Sequence, residues 1–216
     1  MPTCFWRSVG PGHNIFVVES FVDELAHAAG QDPVAFRRAH LDKEPRLLAC
    51  LNLAAEKAGW GGALSARVAR GAACQSVFGS YVAAIVEAEV DDDGEIAIRR
   101  VTAGVDCGTV VNPDSVEAQI QGGLIFGLTA ALYNEITIAK GRVQQSNFNN
   151  YRMMRINEAP AIDVHLVRNG EAPGGIGEPG TSIAGPALAN ALFAATGVRL
   201  RSLPVDRKQL ASRKAA

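Results

Sequence analysis

The stretch Val86-Glu87-Ala88-Glu89-Val90-Asp91-Asp92-Asp93-Gly94-Glu95-Ile96-Ala97-Ile98-Arg99 is where the chain changes period. Val86, Ala88 and Val90 alternate with Glu87 and Glu89, and past the aspartates Ile96 and Ile98 alternate with Glu95 and Arg99. A two-residue period puts one side of an extended segment against a core and the other toward water, which predicts two strands joined as a hairpin. Asp91-Asp92-Asp93-Gly94 forms the turn. A calcium loop would need further spaced oxygen ligands and a closing glutamate, so the aspartates read as a solvated turn.

Upstream of this hairpin the pattern is helical. Val17, Phe21, Leu25 and Ala29 recur every four residues as an apolar stripe, Glu19, Ser20, Asp23 and Glu24 fill the other face, and Gly30 closes the helix. Asp32-Pro33 caps a second helix, and Pro45 before Leu47, Leu48 and Leu51 opens a third that Gly59 stops. Downstream, Asn112-Pro113 opens the longest helical pattern, with Val116, Ile120, Leu124, Leu128 and Leu132 as its stripe. Gly122, Gly123 and Gly127 lie inside it, each costing about 1 kcal/mol relative to alanine, so something approaches that backbone closely. Tight helix packing and a ligand lying on this face are both open explanations. A second hairpin surrounds Lys140-Gly141, a strand is expected over Ile162–Val167, and a last helix from Pro186 to Thr196, with Gly197 as its stop. The expected fold is α+β: a helical N-terminal subdomain over residues 1–64, then a mixed sheet with flanking helices over 65–216, with the Glu178 loop facing the end of the sheet.

The 216 residues are 48% hydrophobic and 20% charged, which is globular composition. A net charge of -1 without a basic run argues against nucleic acid as a partner. Cys4, Cys50, Cys74 and Cys107 are scattered, without a C-x-x-C pair, and read as buried free thiols and not as ligands of a metal or of a 2Fe-2S cluster. Met1-Pro2-Thr3-Cys4-Phe5-Trp6-Arg7 lacks the pattern of an export leader, and the apolar run Ile183–Val198 is too short to span a bilayer. These features place the chain in the cytoplasm, or in the periplasm if an exported partner carries it.

The stretch with most chemical content is Pro173-Gly174-Gly175-Ile176-Gly177-Glu178-Pro179-Gly180-Thr181-Ser182. Glycines allow close backbone approach and prolines stiffen it, so this is a shaped loop. Between Glu171 and Asp206 its one acidic residue is Glu178. A lone carboxylate there is either a base in a pocket or a stabiliser of a helix N-terminus, and spacing alone favours the stabiliser. Gly175-x-Gly177-x-x-Gly180 also matches a dinucleotide fingerprint. That reading is rejected, because no strand directly precedes it, Pro179 lies within it, Glu178 would repel a pyrophosphate, and no acidic residue follows at ribose-binding distance.

Three segments, Val105-Asp106-Cys107-Gly108-Thr109-Val110-Val111-Asn112-Pro113, Ala118-Gln119-Ile120-Gln121-Gly122-Gly123-Leu124-Ile125-Phe126-Gly127-Leu128 and Gly175-Ile176-Gly177-Glu178-Pro179-Gly180, resemble the xanthine dehydrogenase and aldehyde oxidase family of molybdenum hydroxylases. Trp6-Arg7-Ser8-Val9-Gly10, Asp23-Glu24-Leu25-Ala26, Gln145-Ser146-Asn147-Phe148-Asn149-Asn150-Tyr151 and Glu158-Ala159-Pro160 extend the likeness over nearly the whole chain, in the family's order. Within the family it is most similar to the C-terminal part of isoquinoline 1-oxidoreductase beta subunits.

The resemblance implies a partial molybdopterin-binding domain in which Glu178 is the catalytic base toward a molybdenum-bound hydroxyl. That oxygen attacks an electron-poor carbon of an N-heterocycle or aldehyde, with water as the oxygen source. Gln119, Gly175, Gly177 and Arg7 are the implied cofactor contacts, and no protein side chain is implied as a metal ligand. The cofactor would be molybdopterin cytosine dinucleotide. The family's G-G-x-F-G and G-Q-G segments, which hold the other side of the pterin, do not occur in this sequence. A second polypeptide carrying them and a small iron-sulfur subunit with 2Fe-2S clusters are therefore expected partners, beside a small-molecule substrate, and the chain alone is expected to be inactive. The alternatives are an inactive truncated remnant and a non-catalytic small-molecule binding module.

Overall fold

The protein is described by a computed structural model covering residues 3–211; Met1 and Pro2, which begin the N-terminal reading above, lie outside the described residues, as do 212–216. Three helices come first: α1 (Pro11–Ala28), α2 (Pro33–His40) and α3 (Pro45–Lys57). Strands β1 (Val68–Val77), β2 (Ser80–Val90) and β3 (Ile96–Asp106) follow, then α4 (Pro113–Leu132). A small hairpin, β4 (Ile138–Ala139) and β5 (Arg142–Val143), leads to β6 (Ala161–Leu166), α5 (Pro179–Thr196) and α6 (Arg207–Ala211). The main sheet has the order β1-β2-β3-β6. Its first three strands are antiparallel, and β6 joins β3 in parallel, so the expected α+β fold with a mixed sheet is the one observed.

Alternation along the strands builds a layer on each side. Val82, Ala84 and Val86 face α4 and α5, with Ile120, Leu124, Leu128, Ile183 and Leu188 in that core. Ala83 and Ile85 face the other way, onto Cys50, Leu51 and Ala54 of α3. The Asp91–Gly94 turn joins β2 to β3 as expected, and Asp91 Oδ1 accepts from the Asp93 and Glu95 amides. Asp32 caps α2 through the Val34 and Ala35 amides, and Asn112 caps α4 through Ser115. Among the described residues no helix is long and apolar enough to cross a membrane.

Four features differ from the sequence reading. α1 sits the other way up: Glu19, Ser20 and Asp23 are buried, while Val17 is 64% and Phe21 55% exposed. The cause is a buried ionic network. Arg37 Nε lies 2.9 Å from Glu19 Oε2, which also accepts from the Cys74 amide, and Arg199 Nη1 lies 2.7 Å from Asp23 Oδ2. Asn190 Nδ2 donates to the Glu19 and Ala72 carbonyls, so every inward polar group of that face finds a partner except the Ser20 hydroxyl. Charges paired in this way tolerate burial.

α5 begins at Pro179 and not at Pro186, which lies inside the helix. Residues 179–192 are all buried, and packing on every side outweighs the cost of an internal proline. β1 has no counterpart in the reading because its small residues do not alternate in hydropathy. They are small because α5 lies on them, and a Cβ at Gly71 would run into the backbone of Ala187 and Ala191. Lastly, Cys50, Cys74 and Cys107 are buried, but Cys4 is exposed. Burial pushes the Cys50 thiol up to about 12 and raises Cys107 as well, which keeps both protonated.

Candidate active site

The loop that leads into α5 is pinned at its base by Asp106, fully buried at the C-terminal end of β3. Its Oδ1 accepts from Arg46 Nη2 at 2.6 Å and from the Gly108 amide at 2.9 Å. Its Oδ2 accepts from Arg46 Nε and Asn169 Nδ2, each at 2.8 Å. Burial alone would raise this carboxyl, but the Arg46 guanidinium, the Gly108 amide and the Asn169 amide together hold it below the usual aspartate value.

Further along, the loop is fixed by backbone bonds. Thr109 donates to the Glu171 carbonyl, the Gly174 amide to Cys107, and the Gly175 amide to Phe78 in the β1–β2 turn. The glycines serve close approach here. Gly108 has φ +72°, and a side chain on it would strike the Ala172 backbone; one on Gly174 would strike Gly79. The loop therefore sits against the end of the sheet, as expected.

The N-terminal segment straps the loop's last residues to α4. Arg7 Nε donates to the Gly177 carbonyl at 2.9 Å, with Nη2 on the same oxygen, and Nη2 also reaches Gln119 Oε1 at 3.0 Å. Ser8 Oγ donates to the Glu178 carbonyl at 3.2 Å. Trp6 stacks on Phe126 of α4, with ring centroids 4.9 Å apart. Arg7, Gln119, Gly177 and Glu178 are thus brought to one place from three distant parts of the chain. Gly175 is held two residues back, with its amide already engaged by Phe78.

Glu178 occupies the N-cap position of α5, half-buried, yet its side chain makes no capping bond. Among the described residues no hydrogen bond or ion pair engages its carboxylate. The first turn is secured from below by Gln75, a buried residue that the sequence reading missed. Its Nε2 donates to the Pro179 carbonyl at 2.7 Å and to Ser182 Oγ at 2.8 Å. The signal for it was an amide inside the small-residue run of β1, which has meaning only once α5 covers that strand.

Two of the three glycines of α4 are explained by packing. A Cβ on Gly123 would lie 3.1 Å from Gly180 Cα, and one on Gly127 would strike the Thr181 carbonyl. Gly122 is different: it is exposed, one turn from Gln119, with nothing within 4 Å of where its Cβ would be. A cavity of about 310 Å³ opens beside the turn, with Trp6, Gly127, Tyr151, Thr181 and Ser182 among its lining residues, though not Glu178. Among the described residues no group of three or more His, Cys, Asp or Glu side chains is placed to hold a metal ion.

A family profile described as the molybdopterin cofactor-binding domain matches residues 35–160. The beta subunit of isoquinoline 1-oxidoreductase from Brevundimonas diminuta is 38% identical over 210 residues, which cover 94% of this chain and 26% of that protein. A nicotinate dehydrogenase subunit from Pseudomonas putida is 35% identical over 223 residues, covering 94% and 19% respectively. Among solved structures, the aldehyde oxidoreductase of Desulfovibrio gigas superposes with a TM-score of 0.55 at 25% identity, over 61% of this chain and 15% of that one. The chain therefore spans about a quarter or less of the length of these relatives.

Proposed function

The chain belongs to the molybdenum hydroxylase family through its molybdopterin cofactor-binding domain, and on that premise we propose that it is part of a molybdenum-dependent hydroxylase with Glu178 as its base. The observation that carries this reading is the unengaged Glu178 carboxylate at the head of a rigidly held helix. A glutamate whose task was to cap α5 would bond to the first-turn amides, and this one does not.

The residues present fit a pterin cofactor. Gly122 leaves an open, side-chain-free patch on α4 next to the exposed Gln119, and the Gly177 amide has no partner among the described residues. Gln119 and Gly177 would hold the cofactor, with Arg7 fixing both and Gly175 shaping the turn. When bound, the cofactor supplies a molybdenum centre that accepts two electrons and activates oxygen derived from water. Glu178, its backbone held by Ser8 and its helix by Gln75, would be the residue that takes up a proton from water-derived oxygen there.

Relatives named for isoquinoline, nicotinate and aldehydes support an N-heterocycle or an aldehyde as substrate. The cytosine dinucleotide form of the cofactor, a separate small subunit with 2Fe-2S clusters, a polypeptide that completes the pterin site and a cytoplasmic location belong to the same proposal. The test is Glu178→Gln in the assembled complex. Molybdenum and pterin content should stay at the wild-type level while turnover falls by roughly 10²-fold or more, the contribution of a positioned base. Turnover near the wild-type rate would remove Glu178 from the role.

A further inference from the structure

The cavity of about 310 Å³ beside the Glu178 turn is lined by none of the groups assigned above to the cofactor or to proton uptake. Thr181, Ser182 and Gly185 of α5 line it, and Ser182 and Gly185 follow Glu178 at i+4 and i+7, on the same face of the helix. Trp6, also in its wall, directly precedes the Arg7 and Ser8 that hold the Gly177 and Glu178 carbonyls. The volume falls at the lower end of the roughly 300–1,000 Å³ typical of small-molecule sites, and a mostly apolar wall with few polar groups is typical of them too. Ile136 and Tyr151 belong as well to an outer hollow of about 370 Å³ beside Phe148, which gives a way in from solvent.

The wall selects its ligand in three ways. Trp6, fixed by its stack on Phe126, and Tyr151 are aromatic, while Gly127, Ala130 and Gly185 put nothing larger than a methyl into the space, so a flat ring can lie against both helices. Among the described residues no charged side chain lines the cavity, so an ionic ligand would lose its hydration without gaining a counter-ion. Of the polar groups, Ser182 is engaged by Gln75 and Asn134 donates to the Arg152 carbonyl, whereas the Thr181 hydroxyl is buried without a partner. The Tyr151 hydroxyl makes no hydrogen bond among the described residues either, but Tyr151 is half-exposed and water can serve it. We propose that this cavity receives the ring of an uncharged aromatic N-heterocycle, with the Thr181 hydroxyl donating to the ring nitrogen. The inference rests on the functional reading above and narrows its substrate class. A neutral heterocycle is favoured over an anionic one such as nicotinate, and over an open-chain aldehyde, which has no ring to set against Trp6 and Tyr151.

The probe is isoquinoline, titrated into the full chain at mildly alkaline pH, where it is uncharged and nicotinate is an anion. Trp60→Phe leaves Trp6 as the one indole, so its fluorescence reports on the cavity. A saturable change is expected with isoquinoline and none with nicotinate over the same concentrations. Ala130→Leu fills the space and should weaken isoquinoline by about tenfold or more. Thr181→Val keeps the shape and should weaken isoquinoline by about tenfold, while naphthalene, which has no ring nitrogen, binds as before. The melting temperature of each variant is read alongside, and should Ala130→Leu fail to fold, Thr181→Val decides alone. The proposal is overturned if isoquinoline gives no saturable change, if nicotinate binds as tightly, or if Thr181→Val leaves the preference for isoquinoline over naphthalene where it was. The titration needs neither molybdenum nor the Glu178 carboxylate, so the two ideas fail separately. A chain that binds isoquinoline in this way while the Glu178→Gln complex turns over at the wild-type rate would sink the base alone, and a complex dependent on Glu178 whose chain ignores isoquinoline would sink the cavity alone.

Discussion

Arg7 donates to the carbonyl of Gly177 across 170 positions of sequence, from Nε at 2.9 Å, and this bond ties the N-terminal segment to the residue before Glu178. A lysine has no planar fork with which to put two nitrogens on the Gly177 carbonyl while one of them also reaches Gln119. Arg7→Lys should therefore loosen the turn without unfolding the protein. Exchange of the Thr181 amide, which donates to the Glu178 carbonyl, is expected to quicken about tenfold, as the loss of about 1.5 kcal/mol of local hydrogen bonding implies. The melting temperature should drop by no more than about 4 °C. Unchanged exchange would show that the turn holds its shape unaided.

Gly122 and Gly127 sit in the same helix and should respond oppositely to alanine. Gly127→Ala drives a methyl into the Thr181 carbonyl and should cost about 1–3 kcal/mol in denaturant titrations. Gly122→Ala meets open space, so it should stabilise the chain by up to about 1 kcal/mol through helix propensity. In an assembled complex the same substitution should lower pterin content, because the methyl occupies the patch assigned to the cofactor. Full pterin content in that variant would assign Gly122 no part in binding.

Asp106 should dominate the acid sensitivity of the loop. Its carboxyl is held below the usual aspartate value of about 3.9, so the stability it contributes is complete above that pH and is lost as pH falls through the lower, folded value. Asp106→Asn removes the charge that Arg46 is paired with and should cost about 3 kcal/mol at neutral pH, near the lower bound for a broken buried pair because Arg46 is itself partly exposed. The variant should also flatten the dependence of stability on pH below about 4, where the wild-type carboxyl takes up its proton. An acid limb of equal steepness in both proteins would move the sensitivity elsewhere.

Arg37→Leu should be among the most damaging single changes, at about 3–5 kcal/mol, because Glu19 and Asp23 stay buried after their cation is gone. Adding Glu19→Gln should recover part of the loss, since the amide still accepts from Cys74 and no longer carries charge. A double variant as unstable as the single one would show that the side-chain volume of Arg37, not charge pairing, holds α1 in place.

The legible parts of this fold were those whose partners are local. The α4 stripe from Val116 to Leu132 and the Val86–Ile98 hairpin repeat at the period of the element that contains them, and both appear as expected. What escaped the sequence depends on distant residues. The inward face of α1 makes sense only once Arg37 and Arg199 arrive, β1 only once α5 covers it, and the start of α5 only once packing overrides Pro186. The grouping of Arg7, Gln119, Gly177 and Glu178 came from family likeness, not from spacing, since no local signal links positions that far apart. Ser8, which holds the turn from the side, lay inside a family-like segment without a role of its own, and Gln75, which holds it from below, had neither kind of signal.

The clamp on α1 also bears on how the protein is made. Asp23 lies near the start of the chain and its partner Arg199 near the end, 176 positions later. At a synthesis rate of about 5–20 residues per second, the first helix leaves the ribosome on the order of 10 to 35 s before that cation exists. Through that interval the face of α1 that Asn190 and Arg199 come to cover stays open to water, so the helix can dock in its final place only after α5 has been made.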